Sequence, residues 1–138
     1  MAKSLKILVV EDDLDFTEVI KTILESKSYQ VVTAVTGEEG LQKVKEENPD
    51  LIILDVMLEK TTKGFEIAHR LKNPDPQSEY GAYAHIPILM LTAIHQTTFF
   101  RFTPDGEYLP VEEFLEKPIR PEELLKRVEQ LLRRTDRG

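Results

Sequence analysis

The sequence predicts an α/β fold in which a parallel β-sheet carries helices on both faces. Through the first half of the chain, short apolar runs rich in β-branched residues alternate with segments that repeat apolar residues at helical spacing. The chain has 138 residues, of which 41% are hydrophobic, so it can bury one core of ordinary domain size. We therefore expect a single domain over residues 1–138, with its core at about residues 3–132.

The first half of the chain contains three predicted strands, each followed by a predicted helix. The strands are the apolar runs at residues 5–10, 31–35 and 51–54. Asp13 or Asp15 can cap the first helix, because a short acidic side chain accepts a hydrogen bond from a first-turn N–H. This helix is marked by an apolar stripe at Phe16, Val19, Ile20, Ile23 and Leu24. The other two helices are predicted at residues 37–47 and 65–72.

The second half of the chain is less regular. Strands are predicted at residues 86–91 and 111–116, which completes a five-stranded sheet, and a loop is predicted at 73–83. Between these strands the segment 95–110 contains two prolines and a glycine, so we expect its helix, the fourth, to be shortened or irregular. Pro121 suits the first turn of a final helix. Its inward stripe is Leu124, Leu125, Val128, Leu131 and Leu132.

Composition and charge exclude several classes of function. The formal net charge of -7 disfavours direct nucleic-acid binding, because phosphate backbones attract clustered lysine and arginine. The chain has no cysteine and can form neither disulfides nor thiolate metal sites. No apolar run approaches the roughly 18 residues that span a bilayer, and the N-terminus has no secretory pattern. We expect a soluble, cytoplasmic protein without membrane contact.

Polar residues capable of chemistry follow four of the predicted strands. They are Glu11 and Asp12 after the first strand, Asp55 after the third, Thr92 after the fourth and Lys117 after the fifth. The carboxyl ends of parallel strands open onto one crevice, so these side chains are expected to meet there. Each residue alone could merely cap a helix or face solvent, but their common position at strand ends favours one shared site.

Three carboxylates held together predict a divalent-cation site. Neighbouring negative charges repel each other, and hard oxygen ligands favour Mg²⁺, with Mn²⁺ as an alternative. Beside such an ion a carboxylate can attack phosphorus and form an acyl phosphate. Asp55 is the best candidate for this nucleophile because it ends the central strand. Lys117 could offset phosphoryl charge, and Thr92 could donate a hydrogen bond to the same oxygens.

The residues alone leave the register of the acidic pair open. Glu11, Asp12 and Asp13 are consecutive, so the pair could lie one residue later and include Asp13. We favour Glu11 with Asp12, because these two directly follow the strand end. Asp13 is better placed to cap the first helix.

Four motifs occur in a fixed order along the chain. They are Ile-Leu-Val-Val-Glu-Asp-Asp at 7–13, Leu-Ile-Ile-Leu-Asp-Val-Met at 51–57, Pro-Ile-Leu-Met-Leu-Thr-Ala at 87–93 and Phe-Leu-Glu-Lys-Pro at 114–118. Each is moderately specific, but together, at this spacing, they closely resemble the receiver domain of two-component response regulators. The resemblance implies a flavodoxin-like, doubly wound fold whose five parallel strands run in the order 2-1-3-4-5.

The resemblance also implies a phosphorylation site. Asp55 resembles the phosphoacceptor, and Glu11 and Asp12 resemble the metal-binding acids, to which Met57 adds its backbone carbonyl. The phosphoryl group would come from a phosphohistidine on a sensor histidine kinase or phosphotransfer protein, in a Mg²⁺-dependent step. The modified domain would then act on a downstream protein or a separate output domain. It would not be a turnover enzyme, since it catalyses only its own phosphorylation and slow dephosphorylation.

Four further residues resemble the switch region of such domains. Thr92 resembles the switch hydroxyl, and Lys117 resembles the lysine that pairs with the phosphoryl group. Pro118 resembles the family's cis-proline. Phe114 resembles the aromatic switch residue, although an inward aromatic on a short strand is also typical of simple core packing.

The chain departs from the family pattern in two places, and the second of them keeps another function open. The loop after Asp55 has Glu59 where the family usually has proline, and Gly64 comes one residue late. The segment after Thr92 lacks the usual helix pattern. The alternative is therefore a receiver-like interaction module that works without phosphorylation.

Overall fold

The computed structural model describes residues 4–58, 63–73, 75–93 and 113–136. These ranges contain five strands: β1 Lys6–Val10, β2 Gln30–Ala34, β3 Leu51–Asp55, β4 Ile88–Ala93 and β5 Glu113–Lys117. All pairings are parallel, and the strands lie in the order β2-β1-β3-β4-β5. The predicted α/β fold class and strand order are therefore confirmed.

The described α-helices are α1 Leu14–Glu25, α2 Gly37–Glu47, α3 Lys63–Leu71 and α4 Pro121–Asp136. Helix α1 begins where the Asp13 side chain accepts a hydrogen bond from the N–H of Phe16, and Thr36 caps α2 in the same way. Helix α2 ends at Asn48, whose φ of 45° is left-handed and cannot continue a helix. None of the helices in the described ranges is both long and apolar enough to cross a bilayer.

The helices cover the two faces of the sheet and enclose two apolar cores. Side chains alternate across each strand, so one set points to each face. Residues of β1, β3 and β4 pack with α2 and α3 on one face: Leu8, Val10, Ile52, Leu54, Ile88 and Met90. Their immediate neighbours in the same strands pack with α1 and α4 on the other: Ile7, Val9, Leu51, Ile53, Leu89 and Leu91. Strand β3, buried on both faces, lies at the centre.

The strand register aligns the carboxyl ends of the sheet. Val10 pairs with Leu54 across β1 and β3, so Glu11 and Asp55 leave neighbouring strands at the same level. Asp55 pairs with Leu91 of β4, one residue before Thr92. Ala93 pairs with Lys117 at the end of β5. Backbone pairing alone therefore brings the predicted site residues to one edge.

The structure shifts two predicted strand boundaries toward the carboxyl end. Strand β4 begins at Ile88, because the N–H of Ile86 bonds to the carbonyl of Tyr83 in the preceding turn and not to the sheet. Strand β5 spans Glu113–Lys117, so Lys117 is its last residue. The predicted irregular helix at 95–110 lies outside the described residues.

The predicted stripe of α1 is wrong at one position. Val19 is 54% exposed, whereas Ile20 and Leu24 are completely buried. The buried arc of the helix is centred on these two residues and includes Thr17. Val19 falls on the far side of Phe16 from that arc and so faces solvent.

Candidate functional site

The carboxyl edge of the sheet brings together the acids that the sequence predicts. Glu11 follows β1, Asp55 ends β3, and their side chains are almost completely buried. Carboxylate oxygens of Glu11, Asp12 and Asp55 all lie within 4.8 Å of one another. Such a cluster is electrostatically unfavourable without a cation, and its donors suit a hard divalent ion.

Lys117 supplies the positive charge that faces this cluster. Its Nζ lies 3.3 Å from Oε1 of Glu11 and 3.5 Å from Oδ2 of Asp55, so one ammonium bridges two acids. The carboxylates are buried, whereas the Lys117 side chain is about one-third exposed. The ammonium therefore remains accessible from solvent while the two acids are shielded from it.

Backbone groups hold the two buried acids. The N–H of Met57 donates to Oδ1 of Asp55 at 3.2 Å, and the N–H of Asp13 donates to Oε2 of Glu11 at 3.2 Å. The second oxygen of each carboxylate is the one closest to Lys117. Each acid thus uses one oxygen to fix its orientation and presents the other to the site.

Asp13 does not belong to the cluster in the described structure. Its Oδ1 accepts the N–H of Phe16 at 3.1 Å, which is the capping contact expected for this position. The cluster consists of Glu11, Asp12 and Asp55. The geometry therefore agrees with the favoured register of the acidic pair.

The remaining predicted residues lie beside this cluster in the sheet. Thr92 is buried in β4, the strand next to Asp55. Phe114 is half-buried in β5 and packs against the core on the α2 and α3 face. The peptide bond between Lys117 and Pro118 is cis. The structure thus places Thr92 on β4, next to β3, and Phe114 on β5, one strand farther out.

A comparison with protein families identifies the chain. The family model described as the response regulator receiver domain matches residues 7–129, which is most of the sequence. The chain belongs to this family. It is a phosphoacceptor domain of two-component signalling, as the four sequence motifs predict.

Curated relatives of the receiver domain are longer transcriptional regulators. It is 38% identical over 131 residues to the alkaline phosphatase synthesis transcriptional regulatory protein PhoP of Bacillus subtilis, covering 95% of this chain and 50% of that protein. It is 37% identical over 132 residues to the DNA-binding dual master transcriptional regulator RpaA of Synechocystis sp., covering 96% and 51%. The chain spans about half the length of these curated relatives.

Solved structures agree with the family and the fold. The receiver domain superposes on a CheY-like response regulator receiver domain protein from Methanospirillum hungatei with a TM-score of 0.74, 25% identity and 98% coverage of both chains. It superposes on the receiver domain of a Francisella response regulator with a TM-score of 0.78 and 26% identity, covering 96% of this chain and 99% of that one.

Burial in the acidic cluster raises the pKa of Glu11 from 4.5 to about 7. The largest cause is desolvation, followed by the hydrogen bond and the charge of Asp55, both of which favour protonated Glu11. The N–H of Asp13 and the charge of Lys117 oppose this effect without cancelling it. Without a metal ion, Glu11 is therefore partly protonated near neutral pH.

The metal-free receiver domain should lose stability as pH rises from about 4.5 to about 7. Protonated Glu11 stabilises the fold, because its pKa of about 7 in the folded state exceeds the unfolded value of 4.5. This contribution is complete below the lower pKa and lost above the higher one. It amounts to roughly 3 kcal/mol, since the two pKa values differ by about 2.5 units at 1.36 kcal/mol per unit. Urea unfolding in a chelator at several pH values measures it.

The matched control for this pH dependence is Glu11→Gln. Glutamine keeps the size of the side chain and removes its titration, so the fall in unfolding free energy between these pH values should flatten. Added Mg²⁺ should restore stability most at the alkaline end, where it does not compete with the proton. A wild-type stability that rises with pH in the chelator would contradict the assignment.

Two contacts at the site escape the sequence patterns. Gly64, in the first turn of α3, lies against the backbone of Asp55 and Val56, and a Cβ added there would overlap both residues. The Phe16 ring lies over the Lys117 ammonium, although the sequence marks Phe16 only as part of an apolar stripe. The position of Gly64 in the sequence, one residue later than in the family pattern, indicates a different path of this loop but not the contact with Asp55. No local pattern indicates the pairing of Phe16 with Lys117.

Proposed function

We propose that the Asp55 carboxylate accepts a phosphoryl group from a phosphohistidine of a sensor histidine kinase or phosphotransfer protein. An Asp55 oxygen forms the new bond to phosphorus, the P–N bond to the imidazole breaks, and the imidazole nitrogen keeps that electron pair. The observation that carries this proposal is the position of Lys117 between Asp55 and Glu11, at 3.5 and 3.3 Å. An ammonium there can follow the acceptor oxygen onto the phosphoryl group as negative charge arrives.

Mg²⁺ is the proposed cofactor, with Mn²⁺ as a substitute of the same ligand preference. Glu11, Asp12 and Asp55 would hold it through their oxygens, which fit a hard divalent cation, and the Met57 carbonyl would be a further ligand. When bound, the ion offsets charge on the phosphoryl oxygens and replaces the proton that Glu11 otherwise carries. The chain's own residues orient the acceptor and supply the mobile cation.

Thr92 and Phe114 are proposed to convert phosphorylation of Asp55 into a change in the shape of the protein surface. The Thr92 side chain is buried one strand away from the acceptor, where its hydroxyl could donate to a phosphoryl oxygen. Phe114 lies on β5, directly beside β4, and is only half-buried. Movement of Thr92 toward Asp55 would open space into which an aromatic ring on the next strand can turn.

The output of the domain is proposed to be a protein contact. The relatives PhoP and RpaA are named as transcriptional regulators and are about twice as long as this chain. A separate output domain or a downstream protein is therefore the proposed target of the phosphorylated surface. The complete set of acids with their lysine supports this function over a phosphorylation-independent interaction module.

Incubation with Mg²⁺ and phosphoramidate or acetyl phosphate tests the proposed function. Intact mass spectrometry should show a gain of one phosphoryl group, and reduction with borohydride followed by peptide mapping should locate it at Asp55. A chelator should prevent the gain. After removal of the donor the mass gain should decay slowly, because the apolar Met57 side chain cannot orient an attacking water. A phosphoryl group on another residue, or none at all, would overturn the proposal.

A further inference from the structure

The Lys117 ammonium has a third neighbour that is not an acid. Its Nζ lies 4.6 Å from the centre of the Phe16 ring, within the range of a cation–π interaction. Phe16 belongs to the first turn of α1 and is half-buried. Two carboxylate oxygens and the face of one ring therefore surround the ammonium, whose side chain remains about one-third exposed.

We propose that Phe16 is a positioning residue for Lys117, holding the ammonium in reach of the acceptor oxygen. The face of an aromatic ring carries partial negative charge and attracts a cation without being a metal ligand. A fourth acid would hold the lysine too, but it would add repulsion to three clustered carboxylates and compete for the metal ion. This inference rests on the proposed function, because it concerns the rate of phosphoryl transfer to Asp55.

The chain fixes Phe16 to the segment that also supplies the metal-binding acids. The N–H of Phe16 donates to Oδ1 of Asp13 at 3.1 Å. The next residue, Thr17, donates both its N–H and its hydroxyl to the carbonyl of Asp13 at 2.9 Å. Asp13 in turn donates its N–H to Glu11. The backbone of Phe16 therefore has a defined position relative to the acids, and from that position the ring reaches the lysine.

A lysine side chain needs such a contact because it is long and flexible. Its four rotatable bonds give an exposed ammonium many conformations, and only a few of them reach Asp55. The ring covers one side of the ammonium and makes the bridging conformation more favourable. Removal of the ring should slow phosphorylation about threefold to tenfold, which corresponds to an ordinary cation–π energy.

The test compares Phe16→Leu, which keeps apolar bulk, with Phe16→Tyr, which keeps the ring. The donor is phosphoramidate at saturating Mg²⁺, because so small a donor does not need a protein-docking surface on α1. Phe16→Leu should be about threefold to tenfold slower than wild type, and Phe16→Tyr should stay within about twofold. Thermal unfolding of each variant identifies any loss caused by misfolding.

Two further measurements separate positioning from general packing. In the Lys117→Ala background, Phe16→Leu should change the phosphorylation rate less than about twofold, because there is no ammonium left to position. In the metal-free protein, NMR of ¹³C-labelled lysine should show the Lys117 Hε protons shifted upfield by the ring. That shift should persist in Phe16→Tyr and disappear in Phe16→Leu.

The outcomes decide the inference separately from the proposed function. Wild-type protein that takes no phosphoryl group at Asp55 overturns the proposed function, and the NMR shift then still decides whether the ring holds the lysine. Normal wild-type phosphorylation with an unaffected Phe16→Leu rate overturns the positioning role alone. The positioning role is also overturned if Phe16→Leu slows phosphorylation equally with and without Lys117. An unshifted Lys117 signal in wild type overturns it as well.

Discussion

Asp55→Asn is expected to abolish phosphorylation of the receiver domain by phosphoramidate or acetyl phosphate. The amide is neutral and a poor nucleophile, so it cannot form the acyl phosphate, although it nearly reproduces the shape of the carboxylate. The change also removes a charge that raises the pKa of Glu11, so that pKa should fall. Lys117 keeps its 3.3 Å contact with Glu11. Mass spectrometry should therefore detect no phosphoryl gain in a protein that is folded.

Asp13→Asn is the matched control for this change. It makes the same chemical replacement two residues from Glu11, but at a side chain that caps α1 and lies outside the cluster. Asparagine caps helices about as well as aspartate, so both stability and phosphorylation should stay near wild type. If Asp13→Asn lost phosphorylation while Asp55→Asn kept it, the assignment of acceptor and acidic pair would fall together.

Gly64→Ala is expected to destabilise the domain by about 3 kcal/mol and to slow phosphorylation about 100-fold. A Cβ at position 64 would lie 2.2 Å from the carbonyl oxygen of Asp55 and 2.8 Å from two backbone atoms of Val56. Backbone cannot yield as a flexible side chain does. Helix α3 cannot easily move away either, because the N–H of Gly64 donates to the carbonyl of Val56 at 3.1 Å. Urea unfolding and the phosphorylation rate measure the two effects.

Gly81→Ala is the control for the glycine substitution. No atom lies within 4 Å of a Cβ added at Gly81, which begins the short 3₁₀ turn Gly81–Tyr83. Its unfolding free energy should change by less than about 0.5 kcal/mol or rise slightly, because alanine restricts the unfolded chain. Equal unfolding free energies of Gly64→Ala and Gly81→Ala would contradict the prediction. The overlap of the added Cβ with the carbonyl of Asp55 would then be relieved without loss of stability.

The sheet and the composition of the site could be predicted because both depend on strand ends. Apolar runs mark the buried strands, and a parallel sheet brings their carboxyl ends to one edge. For this reason Lys117 and Glu11, 106 residues apart, could be expected to meet, and they lie 3.3 Å apart. The register of the acidic pair, Glu11 with Asp12 or Asp12 with Asp13, needed a second argument, helix capping by Asp13, which agrees with the structure.

The remaining features depend on how packed elements are oriented, which periodicity does not specify. Val19 fits the helical repeat of its neighbours, but the rotation of α1 on the sheet leaves it at the exposed margin. The contact of Phe16 with Lys117 could not be predicted either, since the apolar character of Phe16 does not indicate which charged group its ring will face. Gly64 is constrained by the carbonyl of a residue nine positions earlier, a contact that exists only after the turn has closed.

The wide separation of Glu11 and Lys117 has a consequence for synthesis on the ribosome. The acids and the acceptor emerge first, whereas the lysine that bridges them comes 106 residues after Glu11. A nascent chain that ends before β5 has the anionic half of the centre without its counter-charge and presents the unpaired edge of β4. The charge-paired form of the centre therefore requires that β5 has been synthesised and has joined the sheet.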